Sequence, residues 1–146
     1  MEQHIYSEFP TEDSYKNYLW KLRWNTNTRC SFCNSTKNSI IKNSFRIHCN
    51  TCNTNFSLTT GTIMHNTKID LRKWLVAIYL YLFNPNLSYR KLADKLSVNK
   101  KTAYKIIQRF NSLFNKNKIR ILNITSSPKE TKLILSLILI IKTNGV

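Results

Sequence analysis

Carboxylates are scarce in this 146-residue chain: seven, against 23 lysines and arginines. Four of the seven, Glu2, Glu8, Glu12 and Asp13, fall in the first thirteen residues, which hold no Lys or Arg. From Ser14 onward only Asp70, Asp94 and Glu130 remain. Two-metal phosphoryl transfer needs several carboxylates clustered on a rigid sheet. The chain cannot supply them, so no catalytic residue is assigned and no enzyme is expected. Glycine is also scarce, at two residues. Tight turns that need a left-handed backbone therefore fall to asparagine, which tolerates positive φ best after glycine. No apolar run approaches the roughly 20 residues that cross a bilayer as a helix. The start, Met1-Glu-Gln-His-Ile, has neither a basic n-region nor an apolar h-region, so nothing marks the chain for secretion into an oxidising compartment.

The four cysteines are few but concentrated. Cys30-Ser-Phe-Cys33 and Cys49-Asn-Thr-Cys52 are separated by fifteen residues and use every thiol in the chain. Two C-x-x-C knuckles at this separation are the spacing of a structural site in which four thiolates close a tetrahedron around one ion, zinc first and iron second. Asn34 and Asn53 stand just after the knuckles, where a left-handed backbone is often required. His48 and His65 are alternative ligands, but four sulfurs already complete the coordination, and His48 is expected to point away. The ribbon's large apolar residues are few (Phe32, Ile40, Ile41, Phe45, Ile47, Phe56, Leu58). A segment this small needs a staple, so metal binding and folding are expected to be coupled.

The formal charge of +16 attracts polyanions, and nucleic acid is the commonest one. A lysine-rich coding bias is the bland alternative. Along the chain, Thr11 is placed to cap a helix with Glu12 and Asp13 in its first turn. Tyr15, Tyr18, Leu19 and Leu22 then form one apolar face that ends near Trp24. Ser39–Lys42, Phe45–His48 and Thr54–Leu58 are expected as short strands, the first two joined at Asn43-Ser44. Asp70 should cap a central core helix that runs from Leu71 to Phe83 and stops at Asn84-Pro85. Ser88 and Asn99 should cap two short helices, with Ala93 at their crossing and Val98 just past the turn, the helix-turn-helix template. Ser97 replaces the usual turn glycine. From Ser88 to Arg120 there are ten basic residues and one acid, Asp94. Asn123 to Pro128 is linker-like, and the apolar run Leu133–Ile141 suits a buried strand without a partner.

Several motifs together resemble the transposase zinc-ribbon domain of bacterial insertion-sequence transposases and eukaryotic Merlin-type elements. They are Phe9-Pro-Thr-Glu ahead of Leu22-Arg-Trp24, the two knuckles, Phe56-Ser-Leu-Thr-Thr-Gly-Thr-Ile63, Lys68 and Lys73-Trp74-Leu-Val-Ala-Ile-Tyr-Leu80. Leu92-Ala-Asp-Lys-Leu-Ser-Val-Asn-Lys-Lys-Thr-Ala103 is similar to the helix-turn-helix that follows it there. Ser31, Asn34 and Asn53 depart from the family's usual Pro and Gly, without removing a ligand. The resemblance implies a following ribonuclease-H-like domain with acidic, DDE-type residues. Those residues are absent here, so the chain is expected to be a truncated or frame-broken copy.

The expected class is α+β: one helix, a small zinc ribbon of antiparallel strands, then a helical helix-turn-helix region. The expected divisions are 8–66, 67–118, and 119–146 as linker and apolar tail. The metal ligands are Cys30, Cys33, Cys49 and Cys52, holding one structural zinc. The expected DNA-binding residues are Arg90, Lys91, Lys95, Lys100, Lys101, Thr102, Tyr104, Lys105, Gln108 and Arg109. Of these, Lys101, Tyr104, Lys105 and Gln108 are candidates for base edges, and Arg90, Lys91, Lys95 and Arg109 for phosphates. Double-stranded DNA is the expected partner, self-association is left open, and neither a membrane nor a small-molecule substrate is expected. The location would be the nucleoid of a bacterium or the nucleus of a eukaryote. The rival reading is a zinc-ribbon module that docks on protein or RNA.

Overall fold

A computed structural model describes residues 2–42, 44–84, 86–114 and 128–140. Among these are six helices and one three-stranded antiparallel sheet, and the expected α+β class holds. Two helices, not one, lead into the sheet: α1 (Glu2–Glu8) and α2 (Glu12–Trp24). The sequence reading missed α1 because Ile5 and, just past its end, Phe9 are its main inward apolar groups. Two positions are too few to make a period. The expected cap on α2 is present, with Thr11 and Ser14 exchanging side-chain and backbone bonds as a capping box.

Helix α3 (Leu71–Phe83) is the centre of the body, with nine of its 13 residues buried. Its N-terminus is fastened from two directions. The Asp70 carboxylate accepts the Arg72 backbone N–H at 2.8 Å, and Glu12 on α2 accepts the Leu71 N–H at 2.8 Å. Two carboxylates at a helix start satisfy orphan donors and oppose the dipole. Arg72 completes the corner by pairing with Asp70 at 2.6 Å and donating to the Phe9 carbonyl at 3.0 Å. Helices α4 (Tyr89–Leu96) and α5 (Lys100–Phe114) pack on α3, Trp74 meeting Phe110 edge-on at 5.9 Å.

The last described segment corrects the sequence reading. Residues 133–140, expected as a strand, belong to helix α6 (Pro128–Ile140). Ile141 and linker residues 123–127 lie outside the described residues. Leu135, Ser136, Ile138 and Leu139 are buried while Leu133 and Leu137 are exposed. That spacing is a helical stripe, since a strand would put 135, 137 and 139 on one face. Pro128 suits the first helical position, where its missing N–H costs nothing. α6 lies against α2 and α3, so the run has a partner after all. The Tyr15 hydroxyl meets the Ser136 hydroxyl at 3.0 Å in the core, which satisfies both. Burial pushes the Tyr15 phenol well above its ordinary pKa, and the Ser136 bond offsets only part of this. At the helix start Lys132 pairs with Glu8 and lies 5.7 and 5.3 Å from the Phe9 and Tyr18 ring centres. These aromatics are core.

The sheet runs in order β1 (Asn38–Ile40), β2 (Arg46–Cys49), β3 (Asn55–Ser57). Ile47 faces Ile40 on one neighbour and Phe56 on the other. Its core is small: Cys30, Ile47, Cys49 and Phe56, backed by Trp20 and Trp24 of α2. Phe32 and Ile40 are 63% and 62% exposed, so the ribbon buries even less than its composition allows.

Candidate metal centre and basic helical face

Each knuckle is built the same way. Asn34 and Asn53 both adopt φ of 64°. Their N–H groups close turns onto the Cys30 and Cys49 carbonyls, at 3.0 Å each. The chain then folds back, Cys30 N–H donating to Ser35 O at 3.0 Å and Cys49 N–H to Thr54 O at 2.9 Å. This geometry aims amides at sulfur. The Phe32 and Cys33 N–H groups lie 3.3 and 3.4 Å from Cys30 Sγ, and the Cys52 N–H lies 3.5 Å from Cys49 Sγ. Such donors favour the thiolate form that binds metal.

The four sulfurs all lie within 4.8 Å of one another. Cys30–Cys52 and Cys33–Cys49 are each 3.5 Å apart, far beyond a disulfide bond. A zinc–sulfur distance of 2.3 Å requires tetrahedral edges of about 3.8 Å, which the cluster brackets. The residues fit one structural zinc, and that is the chain's metal site. The protonation pattern agrees. The Thr54 hydroxyl, 2.8 Å away, heads the groups that bring Cys52 down to about 6. The Cys52 amide leads in lowering Cys49. At Cys33 the Ser35 amide pulls downward, but burial and three neighbouring thiols prevail and push it up to about 12. Four sulfurs this close cannot all lose their protons until a divalent cation takes the protons' place. His48 bonds Asn55 at 2.7 Å and Asn53 at 3.1 Å, away from the sulfurs as expected, and His65 is not among the clustered ligands.

Arg23 is the residue whose role the sequence did not disclose. It donates to the carbonyls of Leu58, Thr60 (2.8 Å) and Ser57 (3.5 Å), and to the Ser31 hydroxyl beside the first knuckle (3.2 Å). Its guanidinium also covers Trp24 at 4.5 Å. Burial brings its pKa down to about 10, still charged at neutral pH. One side chain thus ties α2 to both ends of the ribbon. Its partners lie up to 37 residues away, and no local spacing announces them.

The second set of candidate residues lies on α4 and α5. Ser88 and Asn99 cap as expected, accepting the Lys91 and Thr102 N–H groups at 3.2 and 2.7 Å. Ser97 takes the left-handed conformation (φ 54°, ψ 46°) in place of a turn glycine, and the Val98 N–H returns to Ala93 O at 3.1 Å. Arg90, Lys91 and Lys95 are exposed on α4, as are Lys100, Lys101, Tyr104, Lys105 and Gln108 on α5, with Thr102 half-buried. Tyr104 meets Tyr89 edge-on at 5.5 Å. Arg109 stands apart. It is half-buried, and its Nη1 donates to the Ile63 and His65 carbonyls at 2.9 and 3.1 Å. None of these ten residues forms an ion pair among the described residues. No described helix is long and apolar enough to cross a membrane.

Comparison with known proteins agrees with the ribbon's geometry. Residues 10–55 match the family model described as the transposase zinc-ribbon domain. Over 107 residues the chain is 34% identical to a Halobacterium salinarum protein described as an uncharacterized protein in transposable element ISH50. The match takes in 70% of this chain and 35% of that relative, so the chain spans about a third of its length. No solved structure matches.

Proposed function

From a chain that carries a transposase zinc-ribbon domain and is related to a transposable-element protein, we propose a DNA-binding function within a transposase-type protein. On this reading the chain recognises transposon-end duplex and takes no part itself in strand cleavage or transfer. The zinc-held ribbon (within 8–66) sets the angle of helices α3 to α5 (within 67–118), and α5 enters the major groove. Lys101, Tyr104, Lys105 and Gln108 meet base edges, while Arg90, Lys91 and Lys95 meet phosphates.

The observation that carries the reading is the exposed face of α4 and α5, where eight of the ten candidates stand in solvent with no acid paired to them among the described residues. Charge left uncompensated on two capped helices favours a polyanion. Neutralising several phosphates releases counterions, so affinity should drop steeply between low and physiological salt. Fluorescence anisotropy on the element's own terminal duplex tests this. Binding that is indifferent to ionic strength would refute it. A ribbon that docks on protein or RNA has one observation in its favour, the exposure of Phe32 and Ile40. Replacing Lys101 and Lys105 by Gln separates the two readings. Duplex binding is lost if α5 is the contact, whereas a ribbon that docks on protein or RNA keeps its partner in the double variant.

A further inference from the structure

Between the segment leaving the sheet and α5 lies a notch of about 270 Å3. Its wall includes Asn66, Lys68 and Trp74 on one side and Thr102, Lys105 and Arg109 on α5. Three cations line it and no carboxylate does. The larger cleft beside α2, about 470 Å3, is different: there Glu12 and Asp13 stand among Lys16, Arg46 and Lys68, and Glu12 pairs with Lys16 at 3.5 Å. Lys68 forms the rim between the two.

Arg109 shows how the notch is built. Its charge is held by two backbone carbonyls and by the face of Trp74, whose ring centre is 5.9 Å away. Carbonyl dipoles and a ring orient a guanidinium without cancelling its charge. Trp74 is fixed in turn, its Nε1 donating to Thr67 Oγ1 at 2.8 Å. A positioned guanidinium with a lysine across from it is a receptor for phosphate oxygens.

We propose that this notch binds a backbone phosphodiester of the nucleic acid, held between Lys68 and Arg109, with Lys105 on the α5 wall reaching past it to a base edge. The inference rests on the DNA-binding reading and extends it. Lys68 belongs to neither α4 nor α5, so the footprint passes beyond the two-helix unit. The bound phosphate joins the exit of the zinc-held ribbon to α5.

The test uses the full zinc-loaded chain and a mixed-sequence duplex, comparing Lys68→Gln with Lys42→Gln. Lys42 is an exposed lysine of the ribbon outside the notch. Lys68→Gln should weaken binding several-fold, equally across sequences, and reduce the slope of log affinity against log salt by about one. Lys42→Gln should leave that slope unchanged. An unaltered slope in Lys68→Gln, or an equal loss in Lys42→Gln, overturns the notch while the DNA-binding reading stands. A second arm titrates inorganic phosphate and follows the Arg109 side-chain NMR signal in wild type and Lys68→Gln. Weak, Lys68-dependent shifts that duplex competes away support the proposal. Tight phosphate binding in a chain that ignores duplex overturns both the proposal and the DNA-binding reading, leaving a free-phosphate site.

Discussion

The ribbon and the helical body solve the problem of folding by opposite means. The body buries a continuous cluster from Ile5 and Tyr15 through the whole inner length of α3 to Phe110, Leu135 and Leu139. The ribbon buries two cysteines, Ile47 and Phe56, with two tryptophans borrowed from α2. At about 1.5–3 kcal/mol for each fully buried large side chain, the ribbon's few cannot offset the conformational entropy of its backbone. The same chain therefore holds one part that hydrophobic burial can stabilise and one that only an ion can. The lesson concerns the joint between them. Beside Trp20 and Trp24, it holds two charged side chains of the helical body, Arg23 and Arg109, that reach the backbone leaving the ribbon.

The largest effect should come from removing the ion. Structural zinc binding is worth about 10–16 kcal/mol in zinc-finger peptides at neutral pH. Stripping it with a chelator, or making Cys49→Ser, should abolish amide protection at Ile47 and Phe56 and leave α3 amides protected. Hydrogen exchange read by NMR checks both at once. If α3 loses protection together with the ribbon, the two parts are one cooperative unit and the contrast fails. Arg23→Leu comes next. It keeps an apolar stem against Trp24 but leaves the Leu58 and Thr60 carbonyls without their donor, for a loss of about 2 kcal/mol. Denaturant unfolding of the zinc-loaded protein measures this. Arg23→Lys should recover little of it, because a single ammonium cannot span four acceptors set as a fork. Full recovery by Lys would mean that charge, not geometry, holds the joint.

What the sequence disclosed was local. Thr11, Asp70, Ser88 and Asn99 were legible as caps because each bonds an N–H two or three residues ahead. Asn34 and Asn53 were legible because a knuckle constrains its own next residue. The helical tail was not legible, because a run of Leu and Ile broken only by Ser136 carries no clear period of its own. Only the groove between α2 and α3, and the buried Tyr15–Ser136 pair, select the helix. The two joint arginines fail the same test. Arg109 looks like one more cation on a basic helix until its bond to Ile63, 46 residues earlier, is seen.

Within the body, the turn between α4 and α5 offers a smaller test. Ser97 sits at φ 54°, where a Cβ costs about 1 kcal/mol and glycine costs nothing sterically. Ser97→Gly should raise stability by about 0.5–1 kcal/mol in thermal unfolding, and zinc affinity should not change. A shift in zinc affinity would show that strain in the helical body reaches the metal, against the separation drawn above.

The smallest expected effect is a pH dependence at the start of α3, and it distinguishes the parts by sign and window. Burial alone would raise the Asp70 carboxyl, but the Arg72 side chain, the Arg72 backbone N–H and the charges of Arg72 and Lys73 outweigh it and leave its pKa lowered. A carboxylate lowered in the folded state contributes stability that is fully present above its unfolded value, near 3.9. That contribution is lost as pH falls through the lower folded value. Wild type should thus exceed Asp70→Asn in stability at pH 6, and the gap should close only below about pH 4. The thiols give up zinc at higher pH, as protons compete for sulfur. Denaturant unfolding of the zinc-loaded protein across this pH range, with zinc release followed separately by a chelating dye, compares the two variants. A gap that closes together with zinc release would place the corner of Asp70, Arg72 and Phe9 under the control of the metal.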